Sequence, residues 1–167
     1  MLIKENSKQN IKTIKSARGK AALVVARTTG FGGGVEFDTY LDKKMIGVTK
    51  GKGYFVKNDV APGVRYVISR AESMEPIKIK FEPNRVYYLL QIPRTGVWRA
   101  RISVAPVTPE ELLTSWDDGV KLMVYDTKNP GEDLPDADYK QAVADYEREV
   151  KEGIHKDDAK YRGVPAK

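Results

Sequence analysis

The sequence carries a single histidine, His155, and no cysteine. A histidine two and three residues from Asp157 and Asp158 is the kind of set from which a general base or a metal site is assembled. Both uses require further convergent groups, and no second histidine exists to supply one. The polar stretch around His155 therefore reads as a solvated tail. The absence of cysteine excludes disulfides, thiolate metal ligands and cysteine nucleophiles. The carboxylate pairs Glu110-Glu111, Asp117-Asp118 and Asp157-Asp158 are neighbours in sequence, whereas glycoside hydrolysis needs two carboxyl groups facing each other roughly 5–10 Å apart. No serine lies in a Gly-x-Ser-x-Gly context. We assign no catalytic residue, no metal and no cofactor.

Gly30-Phe-Gly-Gly-Gly34 has the composition of a phosphate-cradling loop. A Walker loop continues into Gly-Lys-Ser/Thr and a helix, and a dinucleotide fingerprint also opens a helix. Here Val35, Glu36 and Phe37 follow with strand character. A hairpin or bulge loop fits better.

The aromatic residues suggest recognition rather than catalysis. Tyr54, Tyr87, Tyr88 and Trp98 fall in predicted strands, and successive strand residues face opposite ways, so Tyr87 and Tyr88 point to different faces. A face carrying Tyr54, Tyr87 or Tyr88 together with Arg99 and Arg101 is the candidate binding face, suited to stacking on sugars or on partner side chains. Lys78, Lys80 and Arg94 extend its basic character. RNA recognition by a sheet needs aromatics interleaved with such charges, and the order of elements does not match an RRM domain.

The elements that would hold these residues are mostly strands. Ala21–Ala26 is a continuous apolar run, as in a strand covered on both faces. Val35, Phe37, Thr39 and Leu41 alternate with polar partners, and so do Ile77, Ile79 and Phe81. Met45-Ile46, Tyr54–Val56, Val64–Ile68, Val86–Leu90 and Trp98–Val104 complete about eight short strands separated by turn residues such as Pro62-Gly63 and Pro83-Asn84. Short connections favour antiparallel pairing, so the fold expected over 20–107 is a mainly β protein, an antiparallel β-sandwich. Its expected core is Leu23, Val25, Phe37, Leu41, Tyr66, Ile68, Ile79, Leu89, Trp98, Ala100 and Ile102.

The flanks differ. Residues 1–19 hold five basic side chains against Glu5 and read as a flexible basic leader without aromatic residues for base stacking. From 108 to 167 the pattern is a helical C-terminal extension. Thr108-Pro-Glu-Glu111 is a capping box with proline at the first helical position. Tyr139, Val143, Tyr146 and Val150 form one stripe of a helix near 136–152, with Gly153 as its stop. No apolar stretch approaches the roughly 20 residues of a membrane-spanning helix.

The segments Phe37–Gly47, Gly53–Val56, Val60–Val64 and Phe81–Leu89 resemble a family of uncharacterised bacterial lipoprotein domains, distantly akin to PEGA-type surface modules. The shared theme is a strand ending near Leu41-Asp42, a Tyr54-Phe55 strand, a Pro62-Gly63 turn and a late Tyr87-Tyr88 strand. The resemblance implies a β-sandwich exported to the cell envelope on a lipid anchor, in the periplasm or at the outer membrane. The lipid-bearing cysteine and signal peptide of that family are missing here, as expected if the chain begins after them; otherwise a cytoplasmic location is expected. The implied function is a non-catalytic envelope module that binds or scaffolds an envelope protein or glycan, alone or as a homo-oligomer. Two alternatives compete: an enzyme with a site assembled from loop residues, and a nucleic-acid binder using the basic arm. A net charge of +6 does not favour the latter, because the arm has no stacking residues.

Overall fold

The apolar run at 21–26 becomes the middle of a seven-stranded sheet. A computed structural model of the protein describes residues 2–4, 8–95, 100–124, 126 and 128–167. In chain order the strands are β1 (Leu2–Lys4), β2 (Ala21–Arg27), β3 (Glu36–Leu41), β4 (Lys44–Lys50), β5 (Gly53–Val60), β6 (Gly63–Arg70), β7 (Met74–Phe81), β8 (Arg85–Thr95), β9 (Ala100–Val107), β10 (Lys121–Val124) and β11 (Val164–Pro165). The helices are α1 (Pro109–Thr114) and α2 (Asp136–Lys151), with 3-10 turns at Lys8–Thr13 and Asp158–Lys160.

The protein is mainly β and has two sheets. One runs β1-β10-β5-β2-β8-β11, with β9 also on β8; the other runs β4-β3-β6-β7. The eight strands expected from the sequence are β2 to β9, and the flanks add β1, β10 and β11. The expectation of wholly antiparallel pairing is corrected. β2 pairs parallel with β8, and β10 parallel with β5. The reason is that the chain shuttles between the sheets. After β2 it builds β3-β4 in the second sheet and returns for β5. It then crosses again for β6-β7 before laying β8 beside β2. The short connections β4–β5, β5–β6 and β7–β8 change sheet, while β3-β4, β6-β7 and β8-β9 pair antiparallel as sequence neighbours.

Every residue of β2 is buried, because both faces of its sheet are covered. On one side Leu23, Val25, Phe55, Tyr87 and Leu89 meet Val67, Ile77, Ile79 and Phe81 of the second sheet. On the other, Val24, Tyr54 and Tyr88 are covered by Ile11, Leu112 and Trp116. The far face of the second sheet is in turn covered by α2 and the segment before it, through Tyr40, Ile68, Leu134 and Ala142.

One polar cluster lies between the sheets. Gln91 of β8 is fully buried. Its Oε1 accepts from Thr49 (2.5 Å), and its Nε2 donates to Thr39 (3.1 Å) and Ser69 (2.9 Å). One side chain thus joins β8 to β3, β4 and β6.

Several further expectations need correction. The leader expected to be flexible over 1–19 is attached at its described residues Leu2–Lys4 and Ile11. Ile11 is wholly buried, Tyr88 donates its hydroxyl to the Ile11 carbonyl (2.8 Å), and β1 pairs with β10. The polar surroundings of Ile11 hid a single apolar anchor. The extension over 108–167 is not only helical, since β10 and β11 complete the first sheet. Ile68 and Tyr66 belong to the α2-covered face rather than to the inter-sheet core, because that face is covered as well. Along α2 the buried positions are Ala142 and Tyr146, while Val150 is exposed. Trp98 and the Ala100 side chain lie outside the described residues. The capping box is present in full: Glu111 N–H donates to Thr108 Oγ1 (3.1 Å) and Thr108 N–H to Glu111 (2.7 Å). No helix among the described residues is long and apolar enough to cross a membrane.

Candidate functional site

Strand pairing sets the floor of the site. Val64 and Lys80 are cross-strand partners on β6 and β7, and so are Tyr66 and Lys78. Partners of this kind project from the same face, which is the face α2 crosses. The Tyr66 hydroxyl donates to Glu147 Oε1 of α2, and Lys78 Nζ donates to the same oxygen (2.7 Å). Those two bonds, the lysine's first, hold the Glu147 carboxyl below the usual range. Burial, and then the bond to Glu147, push the Tyr66 hydroxyl up. Edge-on contacts of the Tyr66 ring with Tyr139 (6.4 Å) and Tyr146 (5.7 Å) complete the seam.

Beyond α2, Gly153 adopts φ +80°, which a side-chain-bearing residue rarely tolerates, and the chain reverses. The reversal brings His155 back against its own helix. His155 Nε2 lies 2.6 Å from Glu149 Oε2, Nδ1 lies 3.0 Å from Asp158 Oδ2, and the ring stacks on Tyr146 at 4.3 Å. Tyr146 donates its hydroxyl to Asp158 Oδ2 (3.2 Å). Burial raises the Asp158 carboxyl above its ordinary range. The same holds for Glu75 at the start of β7, where the charge of Glu149 adds to the effect of burial. The expectation of a solvated tail histidine is therefore wrong, with the His155 side chain only 13% exposed. The glycine stop two residues before it was the signal that the chain folds back.

These elements enclose a pocket of about 280 Å³ between β7, α2 and the C-terminal segment. Its wall includes Val64, Lys78, Lys80, Tyr146, Val150 and Arg162. Four large apolar side chains are exposed among the described residues, and Val64 (56%) and Val150 (43%) are two of them. A third, Ile154, directly precedes His155. Two further concavities, of about 590 and 420 Å³, flank β5 and share Ile46, Val56 and Asn58. Although larger, neither brings carboxylates and aromatic side chains together as the smaller pocket does: the first is lined by no carboxylate and the second by no aromatic residue.

The chemistry of His155 follows from its bonds. A histidine that acts as a base keeps one nitrogen on an orienting carboxylate and offers the other to substrate. Both ring nitrogens of His155 already face carboxylates, so the imidazole serves as a clamp between α2 and the tail. Among the described residues, no group of three or more histidine, aspartate or glutamate side chains is placed to hold a metal ion.

The predicted binding face does not assemble. Tyr54 is buried edge-on against Trp116 (5.0 Å). Tyr87 is buried between the sheets, accepting from Glu82 N–H (2.9 Å) and lying 3.0 Å from the Lys80 carbonyl. Tyr88 is buried on the opposite face under Ile11, and burial raises its hydroxyl to about 12. The two tyrosines do face opposite ways, but both faces of the sheet are covered. Arg99 lies outside the described residues. So does the Arg101 side chain, although its backbone pairs with Arg94. Lys78 and Lys80, expected to extend that face, line the pocket instead.

The glycine loop is organised by a residue the sequence did not single out. Arg27, fully buried at the end of β2, donates to the carbonyls of Phe31, Gly32 and Val35, each at 2.8 Å. Its guanidinium stacks 4.1 Å from the Phe37 ring centre. Three of the loop's carbonyls thus point at a cation, whereas a phosphate cradle presents N–H groups.

No protein-family model, curated protein or solved structure matches this chain.

Proposed function

We propose that this protein is a non-catalytic binding module that acts by contact, with the pocket between β7, α2 and the C-terminal segment as its site. The observation that carries this reading is the division of labour in the pocket wall. Groups able to move protons are bonded to one another, His155 to Glu149 and Asp158, and Glu147 to Lys78 and Tyr66. The groups left for a ligand are the exposed valines Val64 and Val150 and the side chain of Lys80. Concave apolar walls with a few convergent polar groups are what small-ligand sites offer. We read the two facing sheets as a β-sandwich-type scaffold that holds this site rigid.

The lipoprotein-like strand and turn pattern over 20–107 supports a place in the cell envelope on a lipid anchor. Fractionating cells that express the intact gene tests the location, and recovery only from the cytoplasm without lipid modification sinks it. Binding is tested by screening a fragment collection against the full chain by two-dimensional NMR. Hits should perturb Val64, Val150 and Arg162, and Val64→Trp, which fills the pocket, should abolish them. Hits that map elsewhere and survive Val64→Trp overturn the assignment of this site.

A further inference from the structure

We infer that the ligand of this pocket is a small organic anion with an apolar body. The inference rests on the binding-module reading and specifies what such a site accepts.

Size comes first. About 280 Å³ lies just below the range usual for drug-sized ligands. It suits a body on the order of a dozen non-hydrogen atoms, not a polymer chain laid along a groove.

Charge comes second. The wall contains two anions, and both are engaged. Glu147 Oε1 takes the Tyr66 hydroxyl and Lys78. Asp158 Oδ2 takes the Tyr146 hydroxyl and His155. Lys78 is neutralised by Glu147, which leaves Lys80, with no ion pair among the described residues, in the wall. A ligand carboxylate or phosphate meets uncompensated positive charge there, while a ligand cation would have to break an existing pair.

Placement comes third. Lys80 stands directly across the strand pair from Val64, whose side chain is more than half exposed. Val150 faces the pocket from α2. The Cβ atoms of an apolar side chain and of an unpaired lysine therefore lie one strand spacing apart, about 5 Å, and the lysine stem carries its charge beyond the valine. This separation matches a short apolar body ending in an anionic head.

The probes are 4-phenylbutyrate, its uncharged amide and 4-phenylbutylamine, titrated into the full chain at low salt and followed by NMR. The carboxylate should shift the amides of Val64, Lys80 and Val150 and bind at least tenfold more tightly than the amide. The amine should be weakest. Lys80→Glu, at an exposed position that leaves the fold intact, should remove the preference for the carboxylate, and so should salt high enough to screen it. If the amide binds at these residues as tightly as the carboxylate, the anion inference fails while the pocket remains a binding site. If none of the three probes shifts these amides, the pocket reading fails and the inference fails with it.

Discussion

The hydroxyl of Tyr161 occupies the position of a backbone group at the end of the β8–β9 ladder. It accepts from the Tyr88 N–H at 2.5 Å and lies 3.0 Å from the Tyr88 carbonyl and 3.1 Å from that of Val107. Tyr88 and Val107 are register partners at the point where β9 leaves β8. Further along the same strand, β11 pairs with Val86. The tyrosine thus fills the gap between two strand partners of β8, with its ring edge-on to Tyr87 at 5.6 Å. Burial pushes the hydroxyl up, so it stays protonated and able to donate throughout the physiological range.

Tyr161→Phe keeps the ring and removes the oxygen. Buried backbone groups of Tyr88 and Val107 then lose their partner, a loss of about 1–3 kcal/mol for an unsatisfied buried group. Chemical denaturation should show a lower midpoint with an unchanged slope, and limited proteolysis should release the C-terminal segment sooner. An unchanged midpoint would mean that water replaces the hydroxyl.

The Gln91 cluster gives a second prediction. Gln91→Leu fits the volume but leaves the hydroxyls of Thr39, Thr49 and Ser69 facing an apolar group. A loss of about 2–4 kcal/mol is expected from partly unsatisfied buried hydroxyls. Converting the three hydroxyl residues to Val or Ala in the same chain should recover part of it. Non-additivity of that kind in a double-mutant comparison identifies one network rather than separate bonds.

The N-terminal anchor is tested by Ile11→Ala. Ile11 is wholly buried among Tyr88, Leu112 and their neighbours. A large-to-small change at such a site costs about 2–5 kcal/mol. Proteolysis at Lys12 and Lys15 should accelerate in parallel. Unchanged stability and cleavage would restore the picture of a free arm.

Much of the strand layout was legible because burial and periodicity agreed. Ala21–Ala26 reads as a doubly covered strand and is one, and Ile77, Ile79 and Phe81 all face the inter-sheet core. The capping box at Thr108 is local chemistry, so sequence spacing suffices to see it. What escaped depends on tertiary neighbours. A period-two pattern identifies the covered face only when one face is covered, and here α2 covers the second, so Tyr66 and Ile68 were assigned to the wrong side. Gln91 and Arg27 are polar residues whose burial has no sequence signature, since their partners come from distant strands and loop carbonyls. His155 looked solvated because the residues around it are charged, yet two of those charges, Glu149 and Asp158, are what hold it.

Glu75 supplies the pH-dependent prediction. Burial, together with the charges of Glu149 and Asp158, raises its carboxyl above the ordinary range, and His155 and Arg94 only partly oppose this. A carboxyl raised in the folded state binds its proton more tightly there than in the unfolded chain. The stability it contributes is present below the unfolded value, about 4.3, and is lost as pH rises through the folded value. Glu75→Gln removes this ionisation while keeping the shape. The variant should be more stable than the wild type at pH 7, and the difference should shrink as pH falls into the ordinary carboxylate range. Urea denaturation at a series of pH values between 4 and 8 measures the gap directly. A gap of constant size across the series would assign the effect to packing of the amide and not to the buried charge.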